Sequence, residues 1–160
     1  MKIKIYTTGG TIDKIYFDQK SEFQVGEPQI LELLREANIT FDFEVESLMR
    51  KDSLDMNDAD RALIAERILK DSNERILLTH GTDTMVETAK ALVGIPGKTM
   101  VLVGSMQPAR LRYSDAIFNI GYAVATVQMM PPGIYVAMNG QVFDPLHARK
   151  NVAGHRFEAI

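Results

Sequence analysis

Two short segments combine glycine with hydroxyl side chains: TTGGT at 7–11 and HGTDT at 80–84. Glycines allow the backbone to turn sharply or to approach a ligand closely, and a threonine just beyond presents its hydroxyl. A threonine hydroxyl is a weak nucleophile that needs a base, and a lysine is that base only where burial or neighbouring charge lowers its proton affinity. The pattern predicts a site with two hydroxyls, one carboxylate and a lysine that spacing alone does not select.

Each segment also has a purely structural interpretation. TTGGT can be a plain turn from strand to loop, and Thr82 or Asp83 can cap the helix that follows, with Glu87 further in. A nucleotide-binding loop is excluded, because neither segment carries G-x-G-x-x-G or a GK[ST] ending.

The elements that position these segments alternate between strands and helices. Apolar patterning predicts strands at 2–6, 41–48, 75–80, 99–104 and 134–138, and helices at 28–37, 57–71, 82–94 and 114–130. Alternation of this kind predicts an α/β fold: a doubly wound, mainly parallel sheet with helices on both faces, flavodoxin- or Rossmann-like. Ligands of such sheets bind beyond the carboxyl ends of the strands, where 7–11, 80–84 and 103–115 all fall.

Several local signals refine this prediction. Strict alternation over 41–48 indicates a half-exposed strand at or near an edge of the sheet. Pro28 suits a first helical position, Asn57 suits a helix N-cap, and Asn-Gly at 139–140 predicts a tight turn. Residues 144–160 have weak periodicity, so they are interpreted as a tail that reaches over the site or as the place where a longer architecture is cut off.

Composition limits the class of protein. The 160 residues carry a net charge of -3 and 46% hydrophobic residues, which gives no electrostatic reason to expect a nucleic acid or a membrane as partner. The absence of cysteine removes disulfides, thiolate metal sites and cysteine nucleophiles. We expect one domain over 1–160, no repeats and no linker. With no long apolar run, the cytoplasm is the expected location.

Four motifs taken together resemble the bacterial-type L-asparaginases: TTGGTI, DMND at 55–58, HGTDTM and VGSMQP at 103–108, in that order. The resemblance covers the family's N-terminal catalytic domain only. It implies a short form without the usual C-terminal domain, L-asparagine as the small-molecule substrate, and neither a cofactor nor a metal. His80, His147 and His155 have no ligand spacing and are expected to be structural or exposed.

The resemblance assigns roles to individual residues. Thr11 matches the nucleophile, which attacks the side-chain amide carbon, releases ammonia and forms an acyl-enzyme that water hydrolyses. Thr82 matches the hydroxyl that activates a nucleophile, and Asp83 matches the carboxylate that holds the substrate's α-ammonium. Tyr16 is the nearest match to a tyrosine of the family's mobile loop, with packing of its aromatic ring as the alternative.

The family's lysine follows a strand and a turn that here read IYVAMNGQVFDPLHARKN, which points to Lys150 as the partner of Thr82 and Asp83. On sequence grounds Lys14 and Lys98 compete with it. A lysine in a tail is otherwise a solvated surface charge, so this assignment depends on the resemblance.

Substrate contacts are assigned in the same way. Ser53 matches the serine that holds the α-carboxylate, but Leu54 replaces the family's neighbouring glutamine, which removes one polar contact to the substrate. Gly10 joins the substrate-binding residues. The N–H of Ser105, with that of Thr82, is placed to hold the oxyanion. Asp115 matches a recurrent aspartate, with helix N-capping as its alternative role.

The leading hypothesis is therefore an amidohydrolase, an L-asparaginase acting through a threonine nucleophile. Two alternatives share the fold: a glutaminase or an ammonia-releasing subunit of the amidotransferase type, and a non-catalytic module that binds an amino acid. We also expect a homodimer or homotetramer, because a one-domain form must complete its pocket from its own tail or from a neighbouring copy.

Overall fold

A computed structural model describes residues 1–160, and its centre is a six-stranded sheet. The strand order is β4-β1-β5-β6-β7-β8, and every neighbouring pair is parallel except β7 with β8. This confirms the α/β prediction. The strands are β1 (Lys2–Gly9), β4 (Asp42–Lys51), β5 (Arg75–Thr79), β6 (Thr99–Val103), β7 (Gly133–Met138) and β8 (Gln141–Phe143).

Four helices connect the strands: α1 (Ile30–Glu36), α2 (Asp58–Lys70), α3 (Met85–Ala91) and α4 (Ala116–Met129). Helices α2 and α3 contact each other, whereas α1 and α4 line a common groove through Leu33 and Ile117. The predicted cap of α2 is confirmed, because Asn57 and Asp60 form a reciprocal capping box. No helix combines the length and apolar character needed to cross a bilayer.

Two small antiparallel hairpins lie outside the main sheet. β2 (Lys14–Phe17) pairs with β3 (Glu22–Val25), directly after the TTGGT segment. β9 (Ala148–Asn151) pairs with β10 (Arg156–Ala159) within the weakly periodic segment 144–160. This second hairpin is fixed to the sheet because the ring of Phe157 is buried near that of Phe143, and its N–H donates to Asn139 Oδ1 at 2.8 Å.

The core explains why the central strands read as continuous apolar runs. Strands β1, β5 and β6 are covered on both faces, and thirty buried hydrophobic residues form one cluster around them. Residues contributed by these three strands include Ile3, Ile5, Ile76, Leu77, Leu78, Val101 and Leu102. A sheet buried in this way gives the loops at its carboxyl edge a fixed base.

Other local predictions have mixed outcomes. The strand at 41–48 is confirmed as β4 at an edge of the sheet, and the 139–140 turn is confirmed by φ values of 54° and 72° at Asn139 and Gly140. The prediction that Pro28 opens a helix is wrong: α1 begins at Ile30 with Gln29 as N-cap. Here Gln29 is fixed instead by its N–H bond to Asp13 Oδ1 at 2.9 Å.

Candidate active site

The four neighbouring strands β4, β1, β5 and β6 each lead into one residue of the predicted site. In that order the residues are Ser53, Thr11, Thr82 and Ser105. All four follow the carboxyl ends of parallel strands, which meet at one edge of the sheet. The topology therefore gathers at one edge residues that are up to 94 positions apart in the sequence (105 minus 11).

The turns that carry these residues touch through glycine. A Cβ on Gly10 would lie 2.4 Å from the Cα and N of Gly81, so the TTGGT and HGTDT backbones are in direct contact. A Cβ on Gly104 would lie 2.3 Å from the carbonyl oxygen of His80. Gly10 also has φ 87°, a conformation that side chains disfavour. Thr11 and Thr82 each directly follow a glycine of the first contact.

Lys150 lies on β9 and reaches the end of β5. Its Nζ donates to Thr82 Oγ1 at 2.7 Å and forms an ion pair with Asp83 Oδ1 at 2.6 Å. The side chains of Lys150 and Thr82 are largely buried, whereas that of Asp83 is partly exposed. The structure thus brings Thr82, Asp83 and Lys150 into one hydrogen-bonded cluster.

The two competing lysines are engaged elsewhere. Lys14 forms an ion pair with Asp52 at 2.7 Å. Burial alone would raise the pKa of Asp52, but hydrogen bonds from Lys14 and from the N–H of Leu54 bring that pKa below its usual value. Lys98 directly precedes β6, at the amino end of this strand and opposite the predicted site. There its Nζ donates to the carbonyls of Asp71 and Asn73 at 2.6 and 2.7 Å. Of the three lysines, Lys150 alone contacts the HGTDT segment.

The capping interpretation of HGTDT is not supported. Helix α3 begins at Met85 with Thr84 as its N-cap residue, and neither Thr82 nor Asp83 caps it. Thr84 Oγ1 instead donates to the carbonyl of Ser53 at 2.8 Å, which ties the segment after β4 to the segment after β5. Thr82 and Asp83 are left free to bond Lys150.

Ser53 packs closely against Gly81, because a Cβ on Gly81 would lie 2.6 Å from Ser53 Oγ. Only 1% of Ser53 is exposed, and its hydroxyl has no partner within the chain. An unpaired buried hydroxyl costs about 1–3 kcal/mol, so a ligand that bonded it would recover that cost. Leu54, at the position of the family's glutamine, is an exposed apolar side chain.

Ser105 is buried, and its Oγ donates to the carbonyl of Gln107 at 2.5 Å. Its side chain therefore shapes the loop after β6. The backbone N–H groups of Ser105 and Thr82 make no hydrogen bond within the chain, so both remain available as donors. Both residues lie in irregular turns, where neither a helix nor a strand uses the backbone N–H.

Asp115 has a role that its capping interpretation missed. It occupies the N-cap position of α4, but its side chain makes no capping bond. Instead Oδ2 accepts the N–H of Met106 at 2.9 Å and Oδ1 accepts that of Gln107 at 3.0 Å. Asn119 Nδ2 joins it by donating to Asp115 Oδ2 at 2.9 Å. Asp115 therefore holds in place the backbone that directly follows Ser105.

Tyr16 lies on the β2–β3 hairpin, where its exposed ring packs edge-on against Phe23 with 5.5 Å between centroids. The structure does not bring Tyr16 into contact with the cluster at Lys150. Asp13 anchors the start of this hairpin, since its carbonyl accepts the N–H of Gly26 at 2.8 Å. Burial raises the pKa of the Asp13 carboxyl to about 7, and one of its oxygens has no partner within the chain.

The histidines take separate places. His80 is fully buried directly before Gly81, whereas His147 and His155 are exposed in or beside the second hairpin. His147 Nδ1 lies 3.1 Å from Asp144 Oδ2. The three rings therefore do not share one site.

Together, the fold and this cluster define an α/β protein with hydroxyl, lysine and carboxylate groups at the carboxyl edge of its sheet. That combination of groups suits hydrolases that form acyl intermediates. A family profile for the asparaginase N-terminal domain matches residues 2–160, and the chain belongs to this family.

Individual relatives agree with the family. The chain is 31% identical over 153 residues to L-asparaginase 2 of Escherichia coli, covering 89% of this chain and 44% of that one. It is 32% identical over 158 residues to a glutamyl-tRNA(Gln) amidotransferase chain of Saccharolobus solfataricus, covering 89% and 34%. The thermostable L-asparaginase from Thermococcus kodakarensis superposes with TM-score 0.85 at 26% identity, covering 100% and 51%. The chain thus spans about half or less of the relatives it matches.

Proposed function

We propose that the chain is an L-asparaginase that hydrolyses L-asparagine to L-aspartate and ammonia. The single observation that carries this proposal is the cluster in which Lys150 Nζ bonds both Thr82 Oγ1 and Asp83 Oδ1, next to the contact between Gly10 and Gly81. That contact gives the Thr11 turn and the cluster a common base at the edge of the sheet.

In the proposed reaction Thr11 Oγ1 attacks the carboxamide carbon of the substrate. A bond forms between oxygen and carbon, the hydroxyl proton passes to the leaving nitrogen, and the carbon–nitrogen bond breaks to release ammonia. Water then attacks the resulting ester, which regenerates the Thr11 hydroxyl and frees aspartate. Lys150, bonded to Thr82, is the proposed base for one of these proton transfers, for which its ammonium group must first give up a proton.

The other residues are proposed to bind the substrate. Asp83 keeps a partly exposed carboxylate beside Lys150 and is suited to an α-ammonium group. Ser53 has an unpaired hydroxyl suited to an α-carboxylate. The free N–H groups of Thr82 and Ser105 are the proposed oxyanion donors, each worth about 2.7–4 kcal/mol in the transition state. Tyr16, on the β2–β3 hairpin that follows Thr11, is proposed to assist the nucleophile.

A second candidate is ammonia release for transfer to another acceptor. Similarity to the amidotransferase chain supports it, although this protein covers 34% of that relative. Leu54 is relevant to the choice between these two candidates. An apolar residue beside Ser53 removes one polar contact to the α-amino end of the substrate. A glutaminase and a non-catalytic amino-acid-binding module are the remaining alternatives.

One experiment separates these candidates. Ammonia release is measured with L-asparagine, L-glutamine and no substrate, for the wild type, Thr11→Ala and Thr11→Ser. An asparaginase loses about 10³-fold or more of its kcat in Thr11→Ala and keeps part of it in Thr11→Ser, which retains a hydroxyl. Preference for L-glutamine supports the second candidate. Binding of L-asparagine without ammonia release by the wild type rejects catalysis.

We further propose that the chain forms a homo-oligomer through α4. This helix, AIFNIGYAVATVQM, has no charged residue, and Ile117, Phe118 and Met129 are 65%, 61% and 83% exposed. Positions 117, 121, 125 and 129 are all exposed and read Ile, Gly, Ala, Met. In an antiparallel pair of α4 helices, Ile117 meets Met129 and Gly121 meets Ala125, which is self-complementary about a two-fold axis. Separately, we propose that the protein is located in the cytoplasm, as the sequence leads us to expect.

A further inference from the structure

His80 is a fully buried residue between β5 and Gly81, with both ring nitrogens bonded. Nδ1 lies 2.7 Å from the carbonyl oxygen of Gly81. Nε2 lies 2.8 Å from Thr88 Oγ1 and 3.2 Å from Met56 Sδ. The ring therefore connects α3 to the turn that carries Thr82.

The hydrogen-bond partners determine which nitrogen carries the proton. A carbonyl oxygen only accepts, so Nδ1 is the protonated nitrogen. Arg61 Nε donates to Thr88 Oγ1 at 3.2 Å, which leaves the hydroxyl proton of Thr88 to bond Nε2. Burial lowers the pKa of His80 to about 4, so the ring is neutral at physiological pH. A chain of hydrogen bonds therefore runs from Arg61 through Thr88 and His80 to the carbonyl of Gly81.

The peptide between Gly81 and Thr82 converts this bond into a geometric constraint. A trans peptide is planar, so the carbonyl of Gly81 and the N–H of Thr82 point in opposite directions. While His80 holds the carbonyl, the N–H of Thr82 cannot rotate away from the opposite side. That N–H makes no hydrogen bond within the chain, and nothing else in the chain bonds the Gly81 carbonyl.

We infer that His80 is a positioning residue, which holds the Gly81–Thr82 peptide so that the Thr82 N–H remains directed at the carboxamide oxygen of the substrate. This inference rests on the proposed function, because the N–H has a catalytic use only if an oxyanion forms beside it. Without the anchor the peptide can rotate and present a carbonyl oxygen where a donor is required. Loss of one such donor costs about 10²–10³-fold in kcat.

Two variants of His80 separate its two bonds. The side-chain nitrogen of His80→Asn occupies the place of Nδ1 and keeps a donor for Gly81. The longer amide of His80→Gln instead reaches the place of Nε2, where its oxygen can accept the Thr88 hydroxyl. We expect His80→Asn to retain kcat within about fivefold and His80→Gln to lose about 10²-fold or more, with KM changed far less. Both variants break one buried bond and are expected to lose similar stability in urea unfolding.

Equal loss of kcat in the two variants, or full activity of His80→Gln, would overturn the inference. Thr88→Val provides a test if neither His80 variant folds, since at nearly constant volume it removes the donor to Nε2, together with the acceptor of Arg61 Nε. We expect kcat to fall at least about threefold at constant KM, because the His80 ring loses one of its two anchors. An unchanged kcat would show that the hydrogen bond from Thr88 to His80 does not help to position the Gly81–Thr82 peptide.

A second readout does not depend on turnover. The backbone carbonyl ¹³C shift of Gly81 and the amide ¹⁵N shift of Thr82 are expected to move in His80→Gln and to stay near wild type in His80→Asn. If the wild type releases no ammonia, the proposed function fails, yet these shifts still decide whether His80 orients the peptide. If the wild type is active but the shifts of both variants are the same, only the positioning role fails.

Discussion

Replacement of Lys150 by methionine is expected to abolish most activity while leaving the protein folded. Methionine keeps the apolar stem but removes the amino group that bonds Thr82 at 2.7 Å and Asp83 at 2.6 Å. A positioned general base contributes about 10²–10⁴-fold to a rate, which corresponds to about 2.7–5.4 kcal/mol of activation free energy. We therefore expect kcat to fall by that factor.

The expected loss of stability is smaller. The partner Asp83 is 38% exposed, and pairs of that kind contribute about 0–1 kcal/mol. The Thr82 hydroxyl loses a buried partner, which adds about 1 kcal/mol. The free energy of unfolding therefore falls by about 1–2 kcal/mol, which the chain is expected to tolerate.

Lys98→Met is the matched control, because it should show the reverse pattern. Lys98 is buried and donates to two backbone carbonyls at the far edge of the sheet, and hydrogen bonds from a charged group contribute about 1.5–3 kcal/mol each. We expect this variant to lose more stability than Lys150→Met but to keep its kcat. Ammonia release at saturating L-asparagine and urea unfolding measure the two quantities on the same samples.

Lys150→Arg distinguishes a base from a fixed positive charge. Arginine keeps the charge but does not give up its proton at accessible pH, so a base role predicts loss of kcat in this variant also. Activity of Lys150→Met within about threefold of wild type would refute the role of Lys150 altogether, since a general base contributes far more than that. Activity retained only by Lys150→Arg would show that the residue acts through its charge.

Two further predictions concern stability and assembly. Asp13→Asn should flatten the pH dependence of the free energy of unfolding. The pKa of Asp13 is raised from 3.8 to about 7 in the folded state, so between these two pH values the folded state binds more protons than the unfolded state. The stability of the wild type therefore falls as pH rises through this range, by up to about 1.4 kcal/mol per pH unit. Equal slopes for wild type and variant in urea titrations across that window contradict this. Gly121→Arg should give monomers by light scattering without loss of stability, because a Cβ there meets nothing within 4 Å. The control Ala62→Arg, at an exposed position of α2, should leave the mass unchanged, and an unchanged mass in Gly121→Arg rejects the α4 interface.

Local patterns in the sequence predicted most of the architecture. Continuous apolar runs indicated the buried strands β5 and β6, strict alternation indicated the edge strand β4, and Asn139 with Gly140 indicated the turn into β8. Each of these signals concerns residues within about ten positions, a distance over which side-chain periodicity reports directly which faces are buried. The β9–β10 hairpin escaped this reasoning, because its pairing depends on the burial of Phe157 near Phe143 rather than on a periodic pattern.

The residue types of the candidate site were also readable from the sequence, but their partners were not. TTGGT and HGTDT identified two hydroxyls and a carboxylate, and a resemblance pointed to Lys150. Only the fold brought that lysine 68 positions back to Thr82, through a hairpin with no sequence signature of its own. Only the fold gave His80, Asp115 and Ser53 their contacts with the turns.

The sequence by itself determined which segments become strands and which turns carry reactive groups, since these properties follow from backbone preferences and local burial. Tertiary structure decided which groups meet. Gly10 contacts Gly81 because β1 and β5 are neighbours in the sheet, and that neighbourhood results from crossover connections whose closure depends on packing across the whole chain.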